Sequence, residues 1–266
     1  VKRRTFVGIG LAVALLAGCM TPQAVAPTPG QSALVVMTSG GYAEALDRLE
    51  PQIEQALGHD ILIVKGSSTG GAADSIPERL KRGERADMVI LSSDGLALLE
   101  QGKFVQAGTR RDLVRSVIGM AVRKGAPVPD ISSPERFVAV LRAAPSIGYS
   151  ASASGTYLAT DLWPRLGLAK ELLPKSRRIL SERVGAVVAR GEVELGLQQM
   201  SELLPIPGIT VVGPIPDAYQ KVTVFTAAQT PAGAANPLSK RLIAFLTSPQ
   251  VTRQVAATGL DPVIAQ

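Results

Sequence analysis

The chain has 266 residues, of which 46% are apolar and 4% aromatic, enough to bury a full core as one α/β domain or two lobes. Its 28 basic and 22 acidic residues give +6, but three basic side chains and no acid fall in the first 19 positions, and beyond these no basic run exceeds Arg110-Arg111 or Arg177-Arg178, so no nucleic-acid partner is expected. A single cysteine, Cys19, excludes an intrachain disulfide, a zinc finger and thiol catalysis, so function falls to oxygen and nitrogen groups, with neither cofactor nor metal expected.

Lys2, Arg3 and Arg4 precede an apolar stretch over 6–17 that closes in small residues, the layout of a secretory signal over 1–18, too short to span a bilayer. Residues 19–32, with Pro22, Pro27 and Pro29, read as a flexible tether. The run 34–37 predicts a strand, and Tyr42, Leu46, Leu49, Ile53 and Leu57 then step at helical spacing up to the stop at Gly58. Residues 61–64 read as a buried strand, a short helix starts near Asp74 or Ser75 with Pro77 in its first turn, and 87–91 is a third strand. Ser92-Ser93-Asp94-Gly95 reads as a turn into a helix over 96–101. The stretch 116–122 predicts one long strand, Ser133-Pro134 opens a helix to Arg142, 146–149 is a strand and 157–166 a helix. Strand 178–180, helix 184–190 and strand 194–197 follow, and the return crossing falls between strands 208–212 and 222–226. Asn236-Pro237 and Ser248-Pro249 cap the last two helices. Strands alternating with helices at this spacing predict a parallel sheet with ligands at the strand C-terminal ends.

Three of these strands end in loops rich in hydroxyls and glycine. They are Thr38-Ser39-Gly40-Gly41, Gly66-Ser67-Ser68-Thr69-Gly70-Gly71, and Ser150-Ala151-Ser152-Ala153-Ser154-Gly155-Thr156. Glycine lets backbone approach a ligand closely, and hydroxyls beside free N–H groups form a neutral nest for an anion's oxygens. No lysine follows Gly70-Gly71, so the second loop is not a nucleotide-phosphate loop. Their recurrence predicts one shared anion site.

Leu16-Ala17-Gly18-Cys19 resembles the lipobox of bacterial lipoproteins, which implies a lipid anchor on Cys19, and Arg3-Arg4-Thr5-Phe6-Val7 resembles a twin-arginine export signal. Within the folded part, the order of Ser39-Gly40-Gly41, Gly66-Ser67-Ser68-Thr69-Gly70, Ala86-Asp87-Met88-Val89-Ile90, Ser181-Glu182-Arg183-Val184, Gly191-Glu192-Val193-Glu194-Leu195-Gly196 and Phe245-Leu246-Thr247-Ser248-Pro249 resembles the periplasmic molybdate-binding proteins of ABC transporters. The resemblance covers nearly all of 33–263. It implies a type II periplasmic binding protein: two α/β lobes, each a mostly parallel sheet flanked by helices, joined by two crossing strands and closing on a ligand. The first lobe would be 33–113 with 221–266, the second 114–220. By position it implies hydroxyl contacts from Ser39 and from Ser67 or Ser68, a backbone donor in the loop from Ser152 to Ser154, and another at Val184. Where that family offers a tyrosine, this chain has Leu197-Gln198-Gln199-Met200, which puts the amide of Gln199 at the site and suits carboxylates as well as tetrahedral oxyanions.

The runs Ile118-Gly119-Met120-Ala121-Val122-Arg123 and Arg183-Val184-Gly185-Ala186-Val187-Val188-Ala189-Arg190-Gly191 resemble a branch of the family that includes periplasmic aconitate isomerase. The leading expectation is a monomeric lipid-anchored periplasmic protein that captures a small oxyanion or a di- or tricarboxylate for an inner-membrane ABC permease. The alternative is an isomerase on the same scaffold, with Glu182 as the base and Arg183 or Arg79 gripping a substrate carboxylate. His59, the lone histidine, is expected in a surface connection.

Overall fold

The computed structural model describes residues 33–263 apart from Gly70; the expected signal, Cys19 and the tether lie outside the described residues. Strand β1 (Leu34–Ser39) is buried along its whole length and pairs in parallel with β2 (Ile61–Gly66) and β3 (Met88–Ser92). The order β11-β4-β10-β3-β1-β2 completes a six-stranded sheet with β4 (Arg111–Ser116), β10 (Thr223–Gln229) and β11 (Asp261–Pro262), all paired antiparallel. A second sheet has the order β7-β6-β8-β5-β9, built from β5 (Ile118–Arg123), β6 (Ile147–Ser150), β7 (Ser176–Ile179), β8 (Leu195–Gln199) and β9 (Ile209–Pro214). Only β6 pairs in parallel there, with β7 and β8; β5 is antiparallel to both its neighbours. Both sheets are therefore mixed rather than mostly parallel, because each crossing chain must re-enter its sheet from the far lobe.

Helix Gly40–Leu57 lays Tyr42, Leu46, Leu49, Ile53 and Leu57 on the first sheet, and Gly58 ends it in the left-handed conformation at φ 64°. Helices Pro237–Leu246 and Pro249–Ala256 add Leu242, Phe245, Val251 and Val255 to this core. A smaller cluster around Ile76, Leu91, Leu96 and Leu99 fills the opposite face. In the second lobe, Phe137, Leu141, Leu158, Leu162 and Trp163 cover one face, and Val184, Val187 and Val188 the other.

Several local expectations shift. The strand expected over 116–122 is two, β4 in the first sheet and β5 in the second, so the chain changes sheets at Val117. The return runs through residues 215–222, and Gln220 ties the two crossings together: its Oε1 accepts from Ile118 N at 2.8 Å and its Nε2 donates to Ile118 O at 3.0 Å. β2 is an edge strand rather than a buried one, with Leu62 51% exposed. The turn before Leu96 is already helical, with Ser92 accepting from Gly95 N, and the serine loop after β6 is likewise the first turn of helix Ala153–Tyr157. Gly155 permits this, because a Cβ there would collide with the Ser150 backbone.

Candidate functional site

Four parallel strands deliver their C-terminal ends to one cleft between the lobes. β1 leads to Gly40, β2 to Ser67, β6 to Ala151 and Ser152, and β7 to Ser181, Glu182 and Arg183; these residues, with Lys65, Asp74, Gln198 and Glu202, line a cavity of about 190 Å³. Three helices begin there, with Ser39, Ser152 and Arg183 as N-caps, and the long helix Gly40–Leu57 turns its first N–H groups and positive dipole end toward the cleft, which favours an anion. Neither serine hydroxyl is consumed by capping its own helix. Ser39 Oγ is buried without a hydrogen-bond partner among the described residues.

The lobes touch around this cavity. Ser68 N donates to Ser152 Oγ at 3.4 Å, Ser181 Oγ to Asp74 Oδ1 at 3.3 Å, and Ser201 Oγ to Gly41 O at 2.7 Å. Arg183 Nη1 lies 3.7 Å from Glu44 Oε2. These contacts join residues 68, 74, 41 and 44 of the first lobe to 152, 181, 201 and 183 of the second.

Of the residues singled out from the sequence, Gly40, Ser67, Ser152, Glu182 and Arg183 meet at the cleft, and Ser39 adjoins Gly40. The polar groups of the others are engaged elsewhere. Ser68 is fully buried, its Oγ accepting from Ser92 N at 3.0 Å, and Ser154 Oγ pairs with Ser150 Oγ at 3.1 Å. Thr69 faces a separate hollow with Thr156, Tyr157 and Lys221. The Val184 N–H donates to Gln198 Oε1 at 2.8 Å. Gln199 is turned away, its Nε2 donating to Thr223 Oγ1 at 2.9 Å. Arg79 donates through Nε to Asp74 O at 3.0 Å and pairs with Glu84 at 2.7 Å, holding its own loop together. Glu182, the expected base, receives both Arg190 nitrogens at 2.9 and 3.0 Å at a side-chain exposure of 43%.

Among the cleft residues that the sequence did not point to, Gln198 and Glu202 matter most. Gln198 belongs to the β8 face that carries Gly196 and abuts helix Val184–Ala189, whereas Leu195 and Leu197 face the core. The two-residue alternation of the strand carries that signal, since Gln199 must share the face of Leu195 and Leu197. Glu202 follows β8 in the short helix Met200–Leu203 and is 8% exposed. Its Oε1 accepts from Gln198 Nε2 at 2.8 Å, and a Cβ at Gly40 would collide with that same oxygen, so the carboxyl lies against the start of helix Gly40–Leu57. Burial pushes Glu202 up to about 7, against the opposing pull of Arg183 and the Gln198 hydrogen bond.

The model of a family described as bacterial extracellular solute-binding protein matches residues 34–261. The chain is 42% identical over 233 residues to an aconitate isomerase from Pseudomonas sp., covering 88% of this chain and 89% of that one. Among solved structures it is similar to the periplasmic molybdate-binding protein of Azotobacter vinelandii, with a TM-score of 0.68 and 20% identity over 88% of this chain and 100% of that one. The sulfate-binding protein of Mycobacterium tuberculosis superposes with a TM-score of 0.66 at 16% identity, over 88% of each chain. These two share the fold. On the strength of a match that runs from the first strand to the last, the chain belongs to the bacterial extracellular solute-binding protein family.

Proposed function

We propose that the cleft binds a small di- or tricarboxylate and isomerises aconitate, shifting its double bond by an allylic proton transfer. The observation that carries this reading is a buried carboxyl, Glu202, in the wall of an anion-favouring cleft, within a chain 42% identical to an aconitate isomerase. Holding a fully ionised oxyanion calls only for neutral hydroxyls and N–H groups and gives a wall carboxyl nothing to do. An allylic proton shift, in contrast, requires a base, together with groups that grip carboxylates and stabilise the developing charge. Arg183 in the wall supplies positive charge, and the start of helix Gly40–Leu57 supplies N–H groups.

Family membership favours a second reading, capture of a small anion for delivery to an inner-membrane ABC permease. Under either reading we place the protein in the periplasm as a monomer, held to a membrane by a lipid on Cys19; the signal layout of 1–18 and the extracellular character of the family support this. Incubation of purified protein with trans-aconitate, followed by chromatographic separation of the isomers, tests the leading reading. Protein-dependent growth of cis-aconitate is expected. No conversion, with molybdate or sulfate alone raising thermal stability, would leave the second reading; a ligand at a hundred times its dissociation constant adds about 2.7 kcal/mol.

A further inference from the structure

The cleft wall holds three carboxylates in different situations. Glu182 is exposed and held by both nitrogens of Arg190. Asp74 accepts from Ser181 across the lobes. Glu202 is buried, and its only hydrogen-bond donor among the described residues is Gln198, whose own Oε1 is fixed by the Val184 N–H. The carboxyl is thereby oriented by a fixed amide and pressed against Gly40, where no side chain intervenes between it and the start of helix Gly40–Leu57.

We propose that Glu202 is the catalytic base that takes the allylic proton from the bound tricarboxylate and returns it at the far carbon, an inference that rests on the isomerase reading above. The carboxylate removes a proton from the methylene carbon, breaking that C–H bond and leaving an allylic anion delocalised over three carbons and the terminal carboxylates. The same proton is then delivered to the former vinyl carbon, forming the new C–H bond as the double bond moves. Glu202 begins and ends ionised, nothing is oxidised or reduced, and no co-reactant is consumed. Arg183, at the cleft and close enough to Glu202 to act on its charge, stabilises the anion together with the N–H groups of the helix start. A carboxyl raised by burial toward neutral pH is better matched to accepting a carbon-bound proton than an exposed, ion-paired one. Gln198 is a positioning residue, acting through its bond to Glu202.

The test compares wild type with E202Q in deuterated water, following trans-aconitate by proton NMR, with affinity for the saturated tricarboxylate tricarballylate measured in parallel. Gln can keep the Gln198 hydrogen bond, so the expected result is turnover reduced at least about a hundredfold, the lower end of what a general base contributes. Affinity for tricarballylate should stay within about tenfold. Turnover of E202Q within a few-fold of wild type would overturn the assignment of Glu202 alone. Binding lost along with turnover would overturn it too, making Glu202 a structural part of the site. No conversion by wild type would overturn the isomerase reading itself, and with it this inference. A Q198L variant adds an independent readout: it should lower turnover and shift its pH dependence while tricarballylate still binds.

Discussion

The burial of Glu202 predicts an unusual stability profile. Its carboxyl titrates near 7 in the folded protein, against an ordinary value of 4.5, chiefly because ionising it there forfeits hydration. A raised acid binds its proton more tightly folded than unfolded, so its contribution falls as pH climbs from about 4.5 to about 7 and is flat on either side. At about 1.36 kcal/mol for each tenfold, the full effect is about 3 kcal/mol lost by pH 8. Arg183 is the charged group that favours its ionisation, itself 3.7 Å from Glu44 of helix Gly40–Leu57, and Lys65, Asp74 and Glu182 line the same cavity. Gln at position 202 keeps the shape and removes the titration. Urea unfolding of wild type and E202Q at pH 4.5 and pH 8 should therefore give nearly equal stabilities in acid and a variant about 2 to 3 kcal/mol more stable at pH 8. A difference that does not change with pH, or a variant less stable at pH 8, would refute the placement of an ionisable carboxyl in the buried wall.

Other variants separate binding from scaffold. Ser68→Ala should lower stability by about 1 to 3 kcal/mol in a thermal or urea transition, because the buried Ser92 N–H loses its acceptor. Ser39→Ala should leave stability of the free protein nearly unchanged, since its hydroxyl has no hydrogen-bond partner among the described residues, while weakening tricarballylate binding by about 1 to 2 kcal/mol in calorimetry. Gly40→Ala should abolish turnover in the isomer assay, because the new methyl needs the space that Glu202 Oε1 occupies. Arg183→Ala removes a cleft cation and the contact with Glu44, and should weaken tricarboxylate binding by about 1.5 to 3 kcal/mol.

Much of the fold was legible because local rules set it. The spacing from Tyr42 to Leu57 and the left-handed Gly58 mark the first long helix, and Ser133-Pro134 and Asn236-Pro237 open theirs with the expected cap bonds. The split at Val117 was not legible, since an apolar run says nothing about which sheet each half joins. The site was half legible. Hydroxyl and glycine loops at strand ends pointed to Gly40, Ser67 and Ser152, and a charged loop after β7 to Glu182 and Arg183. Gln198 could have been found from alternation alone, but matching the tyrosine position of a relative selected Gln199 instead. Glu202 could not: its burial comes from Gly40, far away in the chain, and a glutamate two residues after a strand looks like any solvated side chain.

If the cleft is an isomerase site, it moves a proton within a bound tricarboxylate. Proton NMR of trans-aconitate with catalytic amounts of the wild-type protein in deuterated water reads this directly. Cis-aconitate signals should appear at a rate proportional to protein and be lost in E202Q. A spectrum that stays that of trans-aconitate alone, from a protein that a tricarboxylate or an oxyanion nonetheless stabilises, would contradict the isomerase reading and leave a binding protein.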